Sequence, residues 1–267
     1  MWKVRIILAW PSVCASGPAA VREGFGVSPN LLVYADAQAT SSACAARILE
    51  LLTAALDAEP QATLAVSGGT TPKLMFAEMA KASFDWSRVH LFWVDERCVP
   101  PTDTQSNYKL TKENFIDPAR FPAANVHRVQ GELAPETAAR MYAEDIRRFF
   151  RLADGALPRF DVLHRGMGPD AHTASLFPGE PLIDDHANLA APVYVEKFQQ
   201  WRVTLLPAVL EAARHTLMLA AGADKAEPLR SVLSEPYDPQ KYPSQIATYD
   251  GERVAWFLDK AAARLVG

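Results

Sequence analysis

An acid and an imidazole stand two residues apart near the middle of the chain, in the sequence FDVLHRGMGPDAHTASLFPG of residues 160–179. The first six of these residues predict a strand, the glycines after them predict a tight loop, and residues 173–175 could open a short helix. A loop at the carboxyl end of a sheet strand is where an α/β protein commonly builds a binding site. Asp170 and His172 could therefore face one cleft and transfer protons there. The structural alternative is that Asp170 caps the following turn and His172 donates to a backbone carbonyl.

A second glycine turn, SGGTTP, begins at Ser67 directly after the apolar residues 62–66. A helix is predicted to follow, with Thr70 or Thr71 as its cap. Free amides in a glycine turn next to a helix N-terminus predict an anion site. The spacing is not that of a Walker A loop or of GxGxxG, and an ordinary capped turn is the alternative. The residues that could bind such an anion are Ser67, Gly68, Gly69 and Thr70.

Charged residues follow two further apolar strands. Residues 89–94 lead into Asp95-Glu96-Arg97, and charges at the end of a buried strand are costly unless they are paired or used. The planar guanidinium of Arg97 suits a phosphate or a developing oxyanion. An ion pair between Asp95 and Arg97 that only fixes the loop is the alternative. Lys225, after the strand of residues 215–220, is a second candidate ligand for a phosphate.

These motifs require a scaffold in which strands and helices alternate. Helical spacing over residues 39–57, 72–81 and 135–150, between apolar strands, predicts an α/β fold with a mostly parallel sheet covered on both faces. We expect one domain over residues 30–267 with a small appended lobe. Residues 1–29 are expected to be a poorly ordered extension, because the apolar run near the N-terminus is interrupted by Pro11.

The length, composition and net charge of the chain restrict the class of function. The 267 residues are 49% hydrophobic and 22% charged, with a net charge of −4 and no block of basic residues. This balance predicts a globular protein without a nucleic-acid or membrane surface, and we find no apolar run of membrane-spanning length. The 3 cysteines are scattered, which favours a reducing compartment, the cytoplasm. Asp184-Asp185-His186 is interpreted as a solvated loop, so no metal site is predicted.

Taken together, five motifs resemble the 6-phosphogluconolactonases. They are SGGTTP from Ser67, WVDERCVPPTDTQSNY from Trp93, GMGPDAHTASLFPG from Gly166, RVTLLPAVLEAAR from Arg202 and GADKA from Gly222. The resemblance implies a three-layer sandwich with a Rossmann-like sheet, as in glucosamine-6-phosphate deaminase and ribose-5-phosphate isomerase. It implies hydrolysis of 6-phospho-D-glucono-1,5-lactone in the oxidative pentose phosphate pathway, without a metal or organic cofactor, by a monomer or small homo-oligomer.

The resemblance also implies roles for individual residues. His172 would take a proton from the attacking water, and Asp170 would orient the imidazole. Asp95 would help to hold the sugar or the water, and Arg97 would serve the oxyanion or the phosphate. The residues that would bind the 6-phosphate are Ser67, Gly68, Gly69, Thr70, Arg202 and Lys225.

The chain departs from the family pattern in three places. Ala171 stands where the family usually has glycine, and alanine costs about 1 kcal/mol if the position needs a positive φ. His164 and Arg165 stand in a strand that is usually apolar, and residues 198–201 replace a proline-rich segment before Arg202. The rival functions are a sugar-phosphate deaminase or isomerase on the same fold and a sugar-phosphate-binding protein that has lost turnover.

Overall fold

The computed structural model describes residues 30–248 and 250–266, so the extension predicted over residues 1–29 lies outside the described part. Strands and helices alternate along these residues. The strands are β1 Asn30–Tyr34, β2 Ala62–Val66, β3 Val89–Trp93, β4 Asp95–Arg97, β5 Val126–His127, β6 Val162–Gly166, β7 Ala190–Val195, β8 Gln200–Leu205, β9 His215–Ala220 and β10 Val254–Asp259. The helices are α1 Ala37–Ala58, α2 Thr70–Lys81, α3 Asn107–Thr111, α4 Pro135–Phe150, α5 Pro207–Ala212, α6 Ala226–Ser234 and α7 Lys260–Ala263.

Seven strands form one sheet in the order β1-β10-β9-β6-β2-β3-β5, and all neighbouring strands in it are parallel. The predicted parallel α/β fold is therefore confirmed. A second sheet, in the order β4-β8-β7, is antiparallel. It is joined to the large sheet where the Leu205 amide donates to the Val94 carbonyl at 2.8 Å.

Alternate residues of the central strands face opposite layers, which produces the three-layer arrangement. Leu64 and Val66 on β2 pack with α1 and α2, whereas Ala65 between them packs with α4 and the small sheet. The same alternation separates Leu91 from Phe92 on β3. A sheet buried on both faces explains why these strands are continuous apolar runs.

Helix α1 corrects the expectation that no segment is long and apolar enough to span a membrane. With 22 residues it is long and apolar enough to cross a membrane by length and composition alone. Cys44, Ile48 and Leu52 on one of its faces are fully buried in the core beneath the sheet. The Asp36 carboxylate caps the helix by accepting from the Ala39 amide at 2.8 Å. We therefore interpret α1 as a core helix.

The position of the site follows from the strand order. From β2 the chain proceeds through β3 and β5 to one edge of the large sheet, and from β6 it proceeds through β9 and β10 toward the other. The chain therefore changes direction between the neighbouring strands β2 and β6. Such a switch point leaves a crevice outside the carboxyl ends of the two strands. The loops after β2 and β6 are those that carry SGGTTP and the Asp170–His172 pair.

Two local predictions in this region are corrected. The strand predicted over residues 160–165 is β6, Val162–Gly166, two residues later at its start. The short helix predicted at residues 173–175 is wrong: Thr173 and Leu176 pair as an antiparallel bridge around a tight turn. Ala174 has φ 53°, in the left-handed region, which no α-helix can include. The Thr173 hydroxyl instead donates to the Gly166 carbonyl at 3.0 Å.

Candidate functional site

The loop after β6 brings Asp170 and His172 into direct contact. The imidazole Nδ1 lies 2.5 Å from the Asp170 Oδ1. Because this contact engages Nδ1, Nε2 is the ring nitrogen left to accept a proton from a water molecule or a substrate. The ring stacks on Phe177 at 4.1 Å between centroids, which restricts its rotation. Gly168 allows this approach, because a Cβ there would lie 1.9 Å from the imidazole Nδ1.

Lys197 is a member of this group that the sequence reasoning missed. It lies at the tip of the β7–β8 hairpin, and its Nζ contacts the Asp170 Oδ2 at 3.1 Å. Burial alone would raise the pKa of Asp170, but the contacts with His172 and Lys197 outweigh burial and hold the pKa well below its usual range. Asp170 is therefore a carboxylate at neutral pH, able to orient the imidazole.

The loop between these residues has an unusual backbone. Ala171 has φ 63°, so the condition under which alanine costs about 1 kcal/mol relative to glycine is met. Ser244, fully buried in the turn Pro243–Gln245, supports the loop from behind. Its amide donates to the Ala171 carbonyl at 2.9 Å, and its hydroxyl donates to the His172 carbonyl at 3.1 Å. Ser244 thus holds two consecutive carbonyls of the site loop.

We expect Ser244→Ala to lower kcat several-fold with little change in KM. The His172 carbonyl loses the hydrogen bond from the Ser244 hydroxyl, whereas no residue proposed to bind substrate is changed. The free energy of unfolding should fall by about 1 kcal/mol, the net value of one hydrogen bond. Thr248→Val is the matched control, because the buried Thr248 hydroxyl donates to the Gln245 carbonyl at 2.9 Å, away from the site loop. Equal kcat values in the two variants, measured with their urea unfolding curves, would contradict a positioning role for Ser244.

The turn after β2 differs from the prediction in its cap. Helix α2 begins at Thr70, and its cap residue is Gly69, with φ 130° and no side-chain hydrogen bond. The expectation that Thr70 or Thr71 caps the helix is therefore wrong. A glycine cap favours the predicted anion site, because no side chain of the turn accepts a hydrogen bond from the first amides of α2. Ser67 is buried, and its hydroxyl has no hydrogen-bond partner within the described residues.

A cleft of about 340 Å³ opens beside this turn. Two cations reach it: Arg97, as the sequence predicted, and Lys73 on the first turns of α2, which sequence reasoning missed. Lys73 is exposed, and one guanidinium nitrogen of Arg97 donates to the Gln105 carbonyl. The cleft is thus lined by two cations and by the first residues of α2. Its lining residues are Gly69, Thr70, Lys73, Arg97, Thr104, Gln105, Ser106, Asn107 and Leu110.

Asn107 connects this cleft to Gly68 and Asp95. Its Nδ2 donates to the Asp95 carbonyl at 2.8 Å, and a Cβ on Gly68 would lie 2.0 Å from its Oδ1. We expect Gly68→Ala to displace Asn107, to reduce stability by about 1–3 kcal/mol and to raise KM for a phosphorylated substrate. Gly155→Ala is the control: nothing lies within 4 Å of its added Cβ, although its φ is 75°. It should cost about 1 kcal/mol and leave KM unchanged. An unchanged KM and unfolding midpoint for Gly68→Ala would contradict this contact.

The acids after β3 have separate functions. The Glu96 carboxylate, which is buried, accepts from the amides of Arg97, Asn107 and Tyr108, each at 2.7 Å, and so fixes the loop. Asp95 is also buried, and it accepts from the Ser175 hydroxyl at 2.9 Å, which ties β4 to the loop after β6. Within the described residues Asp95 and Arg97 do not pair with each other. The loop is held by the Glu96 carboxylate, and not by the Asp95–Arg97 ion pair of the alternative interpretation.

Arg202 and Lys225 are the remaining residues that the sequence offered as ligands for a phosphate. On the small sheet Arg202 is the register partner of Arg97, but its guanidinium lies over the rings of Phe177 and Phe198, at 5.8 Å and 5.0 Å. Lys225 follows β9, pairs with Asp224 at 3.0 Å and immediately precedes α6. Neither side chain lines the 340 Å³ cleft.

The unusual polar residues of β6 are both fully buried. No hydrogen-bond partner of either His164 ring nitrogen lies within the described residues. Arg165 donates to the Ile246 carbonyl and approaches the Thr173 hydroxyl at 3.5 Å, whereas its Nε has no partner in that part of the chain. Burial lowers the pKa of Arg165 to about 9 and that of His164 to about 3. Within the described residues, Arg165 therefore has partners for part of its guanidinium, and the His164 ring has none.

Asp184-Asp185-His186 lies in a surface segment. The Asp185 carboxylate accepts from the amides of Ala187 and Asn188, at 3.0 and 3.1 Å, as in an ordinary polar turn. Nothing in this geometry favours a metal site over the solvated loop that the sequence predicted.

Comparison with known proteins gives a consistent result. Residues 35–256 match the family model of glucosamine-6-phosphate isomerases/6-phosphogluconolactonase. A 6-phosphogluconolactonase of Synechocystis sp. is 34% identical over 79% of this chain and 87% of its own length, and one of Homo sapiens is 32% identical over 90% and 95%. The crystal structure of the devB protein superposes with a TM-score of 0.80 at 32% identity, covering 89% of this chain and 99% of that one.

Proposed function

Because the chain belongs to the glucosamine-6-phosphate isomerase/6-phosphogluconolactonase family, we propose that it hydrolyses 6-phospho-D-glucono-1,5-lactone to 6-phospho-D-gluconate in the oxidative pentose phosphate pathway. The observation that carries this proposal is the contact of His172 with Asp170. A separate cleft, lined by neither of these residues, combines two cations with a helix N-terminus. We further propose that the enzyme acts in the cytoplasm, as its composition suggests. Its substrate is a small phosphorylated sugar lactone.

His172 is the general base in this proposal. With Nδ1 engaged by Asp170, Nε2 takes a proton from a water molecule as the water oxygen attacks C1 of the lactone. The carbonyl electrons move to O1 and form a tetrahedral oxyanion. Its collapse breaks the bond from C1 to the ring oxygen, which receives the proton from the imidazolium. The product is the open-chain acid, which ionises to a carboxylate, and the imidazole is again neutral.

The 340 Å³ cleft binds the 6-phosphate. Backbone amides at Gly68, Gly69 and Thr70 offer donors at the positive end of α2, and Lys73 and Arg97 supply charge. A site built from local groups is needed because the net charge of −4 offers no general attraction to an anion. Asp95 contacts Asn107, which lines this cleft, and Ser175, in the loop that carries His172, and it can hold a sugar hydroxyl.

The test is hydrolysis of the lactone at neutral pH, measured with a coupled 6-phosphogluconate dehydrogenase. We expect a rate well above that of spontaneous hydrolysis and no ammonia release from glucosamine 6-phosphate. Ammonia release without lactone hydrolysis would assign the chain to the deaminase branch of the family instead. Binding of 6-phosphogluconate with no acceleration would indicate a binding protein without turnover.

A further inference from the structure

Two histidines and an aspartate form a row of contacts at one edge of the large sheet. His90 lies on β3 and His127 on the edge strand β5, and the His90 Nδ1 lies 3.0 Å from the His127 Nε2. The His127 Nδ1 in turn contacts the Asp145 Oδ2, on α4, at 2.8 Å. None of the three residues lines the cleft beside α2 or belongs to the Asp170–His172 pair. They form a separate group of side chains that can bind a metal ion.

The carboxylate determines which nitrogen of His127 can act as a ligand. Asp145 accepts a hydrogen bond, so the His127 Nδ1 carries the proton and Nε2 keeps its lone pair. The hydrogen bond from His127 also holds the pKa of Asp145 below its usual range, so this residue is a carboxylate at neutral pH. A carboxylate that accepts from the far nitrogen of an imidazole is the usual support of a metal-binding histidine.

Aromatic packing holds the two imidazoles in place. The His127 ring stacks on Phe92, its register partner on β3, at 4.2 Å between centroids and an interplanar angle of 4°. The Phe149 ring, on α4, packs against both imidazoles, with its centroid 4.5 Å from that of His90 and 5.0 Å from that of His127. The two nitrogens are thus positioned before an ion binds, which reduces the entropy that binding costs.

The spacing of the two nitrogens suits one small divalent ion. Zinc binds an imidazole nitrogen at about 2.0–2.1 Å, so nitrogens 3.0 Å apart subtend an angle of about 95° at the ion, between the octahedral and tetrahedral values. A hollow of about 240 Å³, lined in part by His127 and Asp145, gives access and room for water ligands. No group of three His, Cys, Asp or Glu side chains in the described residues could hold a metal. The protein therefore contributes two ligands here, and water completes the shell.

Two arginines also line this hollow, and carboxylates offset both of them. Arg128 donates two hydrogen bonds to Glu132, at 2.7 and 2.9 Å. Arg148 lies 3.7 Å from Asp145, and its side chain is largely exposed to solvent. These pairs reduce the repulsion that a divalent cation would meet on its way to the histidines.

We propose that the His90 Nδ1 and the His127 Nε2 bind one Zn²⁺ ion, with Asp145 as the outer carboxylate that orients His127. The ion replaces the hydrogen bond between the two rings and accepts a lone pair from each. The proton on the His90 Nδ1 moves to Nε2 of the same ring, so no proton is released and no electron is transferred. Because the three residues belong to β3, β5 and α4, the ion fastens the edge strand to its neighbour and to the helix. The site is structural and takes no part in the proposed hydrolysis.

Zinc chloride alone is the probe, titrated by calorimetry into the metal-free full chain, with the Tm recorded at each zinc concentration. We expect the wild type to bind one ion at this site and its Tm to rise, because an ion that binds only the folded chain stabilises it. His90→Phe and His127→Phe keep an aromatic ring but lose a ligand nitrogen, so each should abolish this binding event. Asp145→Ala should weaken it about tenfold or more, as is typical of outer-shell partners.

His172→Gln and His186→Gln are the controls, and both should bind the ion as the wild type does. The absence of zinc binding in the wild type would overturn the proposal. Wild-type affinity in His90→Phe or His127→Phe, or loss of binding in His172→Gln, would also overturn it, because the ion would then lie elsewhere.

A measurement on the wild type keeps the proposal testable if the phenylalanine variants fold poorly. Crystals grown with zinc are measured by anomalous X-ray scattering at the zinc absorption edge. We expect a peak about 2.1 Å from both the His90 Nδ1 and the His127 Nε2. Rings that are still joined by their hydrogen bond, with no peak beside them, would show that the pair binds no ion and would overturn the proposal.

Discussion

Replacing His172 with glutamine is expected to reduce kcat for lactone hydrolysis by about 10³-fold, within the range that a general base contributes. Glutamine keeps a similar size and can still contact Asp170, but it cannot take a proton from water at neutral pH. The cleft proposed to bind the phosphate is lined by other residues, so KM should change little. The measurement is the coupled dehydrogenase assay, with the spontaneous loss of lactone subtracted at each substrate concentration.

The matched control is His186→Gln, because the His186 side chain is 56% exposed and lies on a surface segment away from the Asp170–His172 pair. Its kcat and KM should equal those of the wild type. Wild-type turnover in His172→Gln would refute the assignment of the base. A large rise in KM at constant kcat would mean that His172 binds the substrate and does not activate water.

The scaffold of this site was predictable because its signals are local. The strands β2, β3 and β9 are short apolar runs, and each is followed by glycine or charged residues that break the pattern. The parallel arrangement follows from the helices between strands, and it brings the loops after neighbouring strands to one edge. Asp170, His172 and the turn from Ser67 to Thr70 could therefore be identified before any contact was known.

What the sequence could not reveal depends on contacts between distant residues. Lys197 and Ser244 reach the site loop from 27 and 72 positions farther along the chain, and no local pattern marks either one. The wrong helix at residues 173–175 has the same origin. The Thr173 hydroxyl donates to Gly166 and the Ser175 hydroxyl donates to Asp95. These contacts stabilise a left-handed conformation at Ala174, although alanine by itself favours a right-handed helix.

The different surroundings of Arg97 and Arg202 are a third feature that could not be predicted from the sequence. Arg97 and Arg202 are register partners on the small antiparallel sheet, yet their side chains serve different neighbours. Arg97 reaches the cleft beside α2, whereas Arg202 lies between two aromatic rings. Family motifs contain both arginines, but only the packing shows which side chains each one contacts.

His164→Leu should raise the free energy of unfolding by about 1–3 kcal/mol at pH 7, because it removes a buried polar ring with no partner in the described residues. Leucine suits the site, since the parallel neighbour of His164 on β9 is Leu217 in the apolar core. Urea unfolding curves of the two proteins provide the measurement, and a destabilised variant would mean that the imidazole makes a favourable contact.

The difference should grow in acid. Burial lowers the pKa of His164 to about 3 in the folded protein, against an ordinary value of 6.5. Between these values the unfolded chain binds a proton that the folded protein does not, so the folded wild type loses stability as the pH falls, by about 1.4 kcal/mol per pH unit. The leucine variant lacks this contribution, whereas other titrating groups, such as His90 and His215, act on both proteins and cancel in the difference. Free energies of unfolding at pH 7 and pH 4 should therefore diverge between wild type and His164→Leu. Equal pH dependence of the two free energies of unfolding would show that the buried imidazole is already compensated.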